Sequence, residues 1–452
     1  LAGLLIDFLF SVMIKKYFRF QELGTNYRSE ITGGMTTFMA MAYIIFVNPA
    51  ILSGAGMDFS SVMIATCLSA ALATIIMGIW ARYPIAQAPG LGLNAFFAYS
   101  VVLGMGISWE ITLGAVFVAG VIFILLTLLK IREAIINVIP PDIQIAIAVG
   151  IGLFIASIGL WHAGLITKDP GALITLGPIH HPAAILSIIG IVLLGIMVIL
   201  RIKGAILWSM IIILILGVAF KIIDYTGIVA APPSMEPTFL KLDIIGALKT
   251  QTGTIILVFL FVDMFDTAGT LVGIGNQAGF MRDGKLPRAS RALFSDAVGT
   301  TAGALMGTST VTSYIESATG IGAGARSGFA NIVTGLMFVL MIFFIPVARM
   351  AGGGVEIAEG KVLYPVTAPA LIYVGSIMMR NITKIDWNDI AVAFPCFLVI
   401  IGIPLTYSIA DGMAFGFITY PIFMLIAGRG REMNWLMFLL GLIFLAYYVF
   451  LK

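Results

Sequence analysis

"MGIWARYPIAQAPGLG" (Met77–Gly92) and "MGTSTVTSYIESATGIG" (Met306–Gly322) stand half a chain apart and can be laid one over the other. Neither reads as an ordinary lipid-facing helix. The first carries Pro84, Pro89, Gly90 and Gly92; the second is dense in Ser, Thr and Gly and holds Glu316. Two further anchors keep the same order: "VAGVIFIL" (Val118–Leu125) with "VTGLMFVL" (Val333–Leu340), and Pro140 with Pro365. Each of those prolines precedes a Val-Gly pair at the same distance, Val149-Gly150 and Val374-Gly375. Three anchors in one order mark an internal duplication. Seven apolar spans separate the matched points, an odd number, so the second copy enters a membrane upside down relative to the first. Inverted repeats are a recurrent design of secondary transporters, with the substrate site at the repeat interface near the midplane and at short, Gly/Pro-interrupted segments in corresponding positions. The two quoted segments are that matched pair. As half-helices preceded by extended chain, they bring free N–H groups and helix dipoles to the bilayer centre.

The rest of the chain supports a membrane solvent. Of 452 residues, 60% are hydrophobic and 10% charged, where a soluble domain carries about 25% charged residues. The apolar runs are long enough to span as helix, which makes the fold class all-α and polytopic. Fifteen such runs can be read, from 31–53 to 433–450; those at 88–103, 311–324 and 366–379 are short for a straight span. With the N-terminus inside, 18 of the 25 basic residues fall in inside loops, among them Arg82, Lys130, Arg132, Lys285, Arg288, Arg291 and Arg326. The positive-inside rule thus predicts a multi-pass protein with a cytoplasmic N-terminus. Residues 1–20 read as an interfacial N-terminal helix rather than a signal peptide. Cys67 and Cys396 lie in separate apolar helices and offer neither a disulfide framework nor a CxxC site. His162, His180 and His181 read as one exposed polar loop, short of the four ligands of a structural zinc site, so no metal is expected. The net charge of +3 gives no ground for a nucleic-acid partner.

The intramembrane acids carry the chemistry. In "FLFVDMFDTAGTLVGIGNQAG" (Phe259–Gly279), Asp263, Asp266, Thr267, Thr270 and Gln277 fall within about a 100° arc on a helix, a single polar stripe. A carboxylate at a helix centre costs roughly 2.5–3.5 kcal/mol on insertion scales, so the stripe faces a cavity or partners rather than lipid. Asp296 and Glu316 add two more acids in the following spans.

"APGLGLNAFFAY" (Ala88–Tyr99), "FVDMFDTAGTLVG" (Phe261–Gly273), "LFSDAVGTTAGALMGTSTVTSYIESATGI" (Leu293–Ile321) and "ADGMAFGFITYP" (Ala410–Pro421) resemble the AzgA-type adenine/guanine/hypoxanthine permeases of the nucleobase–cation symporter-2 family. The resemblance runs over nearly the whole chain. It implies 14 transmembrane helices in two inverted sevens, with a core domain (21–139 and 244–350) moving against a gate domain (140–243 and 351–452). It also implies proton-coupled uptake of purine nucleobases at the cell membrane, powered by the proton gradient without a cofactor. The purine would lie between the third, eighth and tenth helices, against Pro89 and its neighbours, Asp263 and Glu316; Asp266 and Asp296 match acids that support binding and coupling. Uracil and xanthine members of the wider family usually carry glutamate where Asp263 stands, and the apolar segment after Arg431 is one span more than fourteen.

A purine edged with N–H donors suits this set. Glu316 and Asp263 accept from it, backbone N–H groups near Pro89 and Gly90 address ring acceptors, and Phe96 or Tyr314 covers a ring face. Asn94, Thr267, Thr270 and Ser317 are the supporting polar residues. Partners expected are a purine base, protons and lipid, with a homodimer left open. A primary pump is disfavoured, since "GFMRDGKL" (Gly279–Leu286) has Leu where a P-loop has Ser or Thr. A membrane-embedded aspartyl enzyme leaves the inverted repeat unexplained, and an anion transporter of the same fold sits poorly with a site of acids.

Overall fold

A computed structural model describes residues 12–129, 140–169, 171–249, 253–282, 286–358 and 360–450. Residues 1–11 of the N-terminal segment, the core boundary at residue 139, and Lys130, Arg132, Lys285 and Lys452 lie outside them. Among the described residues, eight helices are long and apolar enough to cross a membrane, including Trp109–Leu128, Pro141–His162 and Gly253–Gln277. The chain is a multi-pass membrane protein.

The two quoted segments fold as broken elements of the same kind. The helix Phe59–Ile76 runs on as a π-helical turn, Met77–Ala81, and stops at Arg82 in the left-handed conformation (φ 58°). The chain then extends through the strand Gln87–Pro89 into the helix Leu91–Ala95, which continues as a π-helix over Phe96–Gly104. In the second half the helix Ala289–Met306 stops at Gly307 (φ 97°), the strand Val311–Ser313 follows, and the helix Ser317–Gly322 is only six residues long. The first sequence anchor is therefore one helical turn out of register. Gly307 corresponds to Arg82 rather than Gly78, because the first helix winds an extra turn through its Met-Gly before stopping. Glu316, expected on the second half-helix, stands at its N-cap.

The strands pair antiparallel, Gln87 with Ser313, Ala88 with Thr312 and Pro89 with Val311. Corresponding pieces of the two halves thus run in opposite directions, as an inverted repeat requires. Each strand is secured to its own preceding helix by the same device. Thr74 Oγ1 accepts from Gln87 N and donates to Gln87 O, both at 2.9 Å, and Thr300 Oγ1 does the same with Val311 N and O at 3.0 Å. One hydroxyl satisfies both backbone groups of a buried strand residue, where neither has water to turn to.

Packing gathers the helices into two bundles. In one, Phe329–Leu340 lies on Tyr27–Met41 and Phe59–Ile76, while Ala289–Met306 lies on Trp109–Leu128 and Phe59–Ile76. In the other, Pro141–His162 lies on Ala368–Met378 and Ile390–Thr406, and the latter on Ile409–Ile426. The bundles meet through Ser100 Oγ, which donates to Tyr407 O at 2.6 Å, and through Tyr99 Oη, 3.0 Å from His162 Nε2. His162 is therefore not part of an exposed loop. It closes the helix Pro141–His162, buried, with its ring 4.5 Å from that of Tyr364. The final segment is helical over Trp435–Phe450 and packs on Ile409–Ile426 through the stacked rings of Phe417 and Phe444.

The hairpin of the second bundle is closed outside the spans. Asp389 caps the helix Ile390–Thr406 by accepting from Ala391 N at 3.1 Å, and it pairs with Arg429, which also holds Glu432. The Arg429 hydrogen bond holds the Asp389 carboxyl below its ordinary value. A depressed folded pKa means that the stabilisation is complete above the unfolded carboxyl's pKa of about 3.9 and is lost as pH falls through the lower folded value. Asp389→Ala is expected to lower the melting midpoint by a few degrees at neutral pH. In thermal scans of the detergent-solubilised protein, the gap to the parent should narrow on acidification into that range; a gap constant with pH would contradict the ion pair's share.

Candidate substrate site at the crossing

All four intramembrane acids are tied to the strand crossing or its flanks. Thr300, which secures Val311, also lies 3.3 Å from Asp263 Oδ2. Thr312 Oγ1 donates to Asp266 Oδ2 at 3.3 Å and stands 2.8 Å from Thr267 Oγ1, and Thr267 donates to Asp296 Oδ1 at 2.5 Å. Glu316 follows the second strand directly, and its Oε1 accepts from Tyr43 Oη at 2.7 Å. Asp263 and Asp296 are fully buried, whereas Asp266 and Glu316 are half-buried. On the helix Gly253–Gln277, Asp263 and Thr267 are buried, while Asp266 and Thr270 border a more open face that continues past the exposed Gly269 and Gly273.

The first half-helix supplies the opposing wall. Glycine is required at position 90, since a Cβ there would stand 2.8 Å from Thr312 Cγ2. The Gly90 N–H, expected to address the ligand, is instead taken by Thr310 O at 3.0 Å within the crossing. The free donors of this helix are those of its first turn, at Leu91, Gly92 and Leu93, which no helical carbonyl can reach. Pro89 O accepts from Tyr314 Oη at 2.5 Å, fixing the Tyr314 ring beside that of Tyr43 at a centroid distance of 6.5 Å. Asn94 is fully buried, and neither its amide nitrogen nor its oxygen has a hydrogen-bond partner. Unpaired buried amide atoms carry a desolvation penalty of about 1–3 kcal/mol each.

Two expected residues take other duties. Phe96 is fully buried, edge to face with Phe259 at 5.2 Å, as part of the apolar core. Ser317 accepts from Ala86 N at 2.9 Å and donates to Tyr314 O at 2.7 Å, so it holds the crossing together. Sequence reasoning missed Tyr43, Thr300 and Thr312. Tyr43 sits at the break between the helices Tyr27–Met41 and Ile44–Ser53, which the uninterrupted apolar run around it gives no sign of. A cleft is lined by Ile274, Gln277, Ala278, Ala318, Ile321 and Arg326; Ile274 and Ile321 pack in one cluster with Tyr83, on whose ring Arg288 stacks, and Arg82 stacks on Tyr17.

Comparison with known proteins gives the family and the fold. A family described as the Permease family matches residues 28–415. The guanine/hypoxanthine permease PbuG of Bacillus subtilis is 47% identical over 451 residues, covering 97% of this chain and 100% of that protein. The adenine permease AdeP of Escherichia coli is 38% identical over 440 residues, covering 97% and 96%. Among solved structures, the transmembrane domain of a cyanobacterium bicarbonate transporter, BicA, superposes with a TM-score of 0.64 at 14% identity, covering 86% of this chain and 97% of that one. That last likeness speaks to the fold.

Proposed function

The chain belongs to this permease family, and on that premise we propose that it carries purine nucleobases across the cell membrane together with protons. The observation that carries the reading is the meeting of Asp263, Asp266 and Glu316 with two helix starts at one buried crossing. A neutral, planar base offers N–H donors to carboxylates and ring acceptors to first-turn N–H groups, whereas an anion such as bicarbonate would be repelled by the same acids. Asp263 and Glu316 accept from the base, Asn94 reads its edge, and Tyr314 flanks its face. Asp266 and Asp296 carry the proton, with Thr267 and Thr270 as polar support. The core (21–139 and 244–350) bearing the crossing moves against the gate (140–243 and 351–452), and the arginine-rich end with its cleft faces the cytoplasm.

The test is uptake of labelled adenine, guanine, hypoxanthine, uracil and bicarbonate into proteoliposomes under a pH gradient, with and without an uncoupler. Purines should accumulate and compete with one another, and the uncoupler should abolish accumulation. Accumulation indifferent to the uncoupler would remove the proton, and preference for bicarbonate would remove the base.

A further inference from the structure

Four side chains of the crossing form a continuous line of oxygens. From Asp296 Oδ1 it passes to Thr267 Oγ1 (2.5 Å), to Thr312 Oγ1 (2.8 Å) and to Asp266 Oδ2 (3.3 Å). Each oxygen–oxygen contact needs one proton to be a hydrogen bond. Three contacts need three protons, and the two threonine hydroxyls supply two. The third is a carboxyl proton on Asp296 or Asp266.

From this count we infer that Thr267 and Thr312 are a proton relay, through which Asp266 and Asp296 share one proton. The line has two polarities. With the proton on Asp296, the carboxyl donates to Thr267, Thr267 to Thr312, and Thr312 to an ionised Asp266. With the proton on Asp266, every donor and acceptor is reversed. Passing between them breaks one O–H bond at each of three oxygens and forms one at the next: Asp296 loses its proton to Thr267, Thr267 gives its own to Thr312, and Thr312 gives its own to Asp266. Charge and atoms balance, and no other reactant takes part.

Placement gives the relay a direction. Asp266 is half-buried on the open face of its helix, whereas Asp296 and both threonines are sealed. The more exposed acid is thus the end at which the line meets the open face, and the sealed one is its far end. The other two acids of the site stand on separate hydroxyls, Asp263 beside Thr300 and Glu316 beside Tyr43, so the base-facing carboxylates lie outside this line. The two hydroxyls also come from different elements, one from the helix Gly253–Gln277 and one from the strand Val311–Ser313, so the relay exists only while the crossing is assembled against that helix.

The inference rests on the proton-coupled reading and is separable from it. Thr312→Val keeps the shape and removes the hydroxyl; Thr312→Ser restores it. In proteoliposomes, the ratio of proton-driven accumulation to base counterflow should fall by about tenfold or more in Thr312→Val, the scale of losing a positioned proton-transfer group, and should return in Thr312→Ser. Thr267→Val should behave alike, which covers a Thr312 variant that fails to fold. In the parent, infrared difference spectra should show the carbonyl band of a protonated carboxyl, shifted in heavy water and diminished in Asp296→Asn. Valine variants that accumulate like the parent, or a parent without that band, overturn the relay. If Asp296→Asn loses accumulation while both valine variants keep it, the relay alone falls. If the parent itself ignores the pH gradient, the proton-coupled reading falls with it.

Discussion

Asp296→Asn is expected to abolish accumulation of base against a gradient while leaving binding and exchange in place. The asparagine carbonyl oxygen can still accept from Thr267, so the packing of the helix Ala289–Met306 on the crossing is kept, but the site no longer alternates between charged and neutral. One elementary charge moved across the membrane is worth about 2.3 kcal/mol per 100 mV, and that supply would be disconnected from the base. Purine binding, counterflow and pH-driven uptake measured on the same vesicles separate the outcomes. Full proton-driven accumulation by the variant would place the coupling acid elsewhere, with Asp266 next in line.

Glu316→Gln is expected to weaken base affinity on the order of ten- to a hundredfold, the cost of an unmatched buried polar contact of 1–3 kcal/mol. Tyr43 makes this substitution informative. Its hydroxyl donates to Glu316 Oε1, and a glutamine can offer its own oxygen there, so the side chain stays anchored and only the outward atom changes from acceptor to donor. Protein levels should hold. Wild-type affinity for adenine, guanine and hypoxanthine in this variant would remove Glu316 from the site.

The inverted repeat was legible because Pro84, Pro89, Gly90 and Gly92 cluster in one short apolar run and Gly, Ser and Thr crowd around Glu316 in its counterpart; it is the clustering in matched places that marks the breaks, since single prolines such as Pro49, Pro395 and Pro421 lie within helices. The register itself was not legible, since Met-Gly ends a helix at Gly307 but passes through one at Gly78, and the difference is decided by where each strand docks. The stripe on the helix Gly253–Gln277 followed from the 3.6-residue period. Its partners did not, because Thr300 and Thr312 meet it from other elements, and a threonine in an apolar helix ordinarily bonds back to its own turn. Thr74 and Thr300 make corresponding bonds in the two halves, and each closes a similar run, SAALAT over Ser69–Thr74 and SDAVGT over Ser295–Thr300, a likeness the Met-Gly anchor obscured. Tyr43 looked like one more core aromatic in an apolar run. His162 was assigned to the loop because two other histidines follow it, yet its ring belongs to the helix end that meets Tyr99.

The paired strands also set a mechanical limit. Gly90 N to Thr310 O, Tyr314 N to Ala86 O, and Tyr314 Oη to Pro89 O rivet the broken arm of one half to that of the other. An opening wide enough for a solute cannot form by prising these arms apart without stripping buried backbone groups of every partner. Under the proposed motion of core against gate, the seam that slides lies elsewhere, where Tyr99 and Ser100 meet His162 and Tyr407 and the helix Leu91–Ala95 packs on Pro141–His162. A pair of distance probes spanning the crossing would behave as a fixed ruler through the working cycle, while a pair spanning that seam would lengthen and shorten with each turnover.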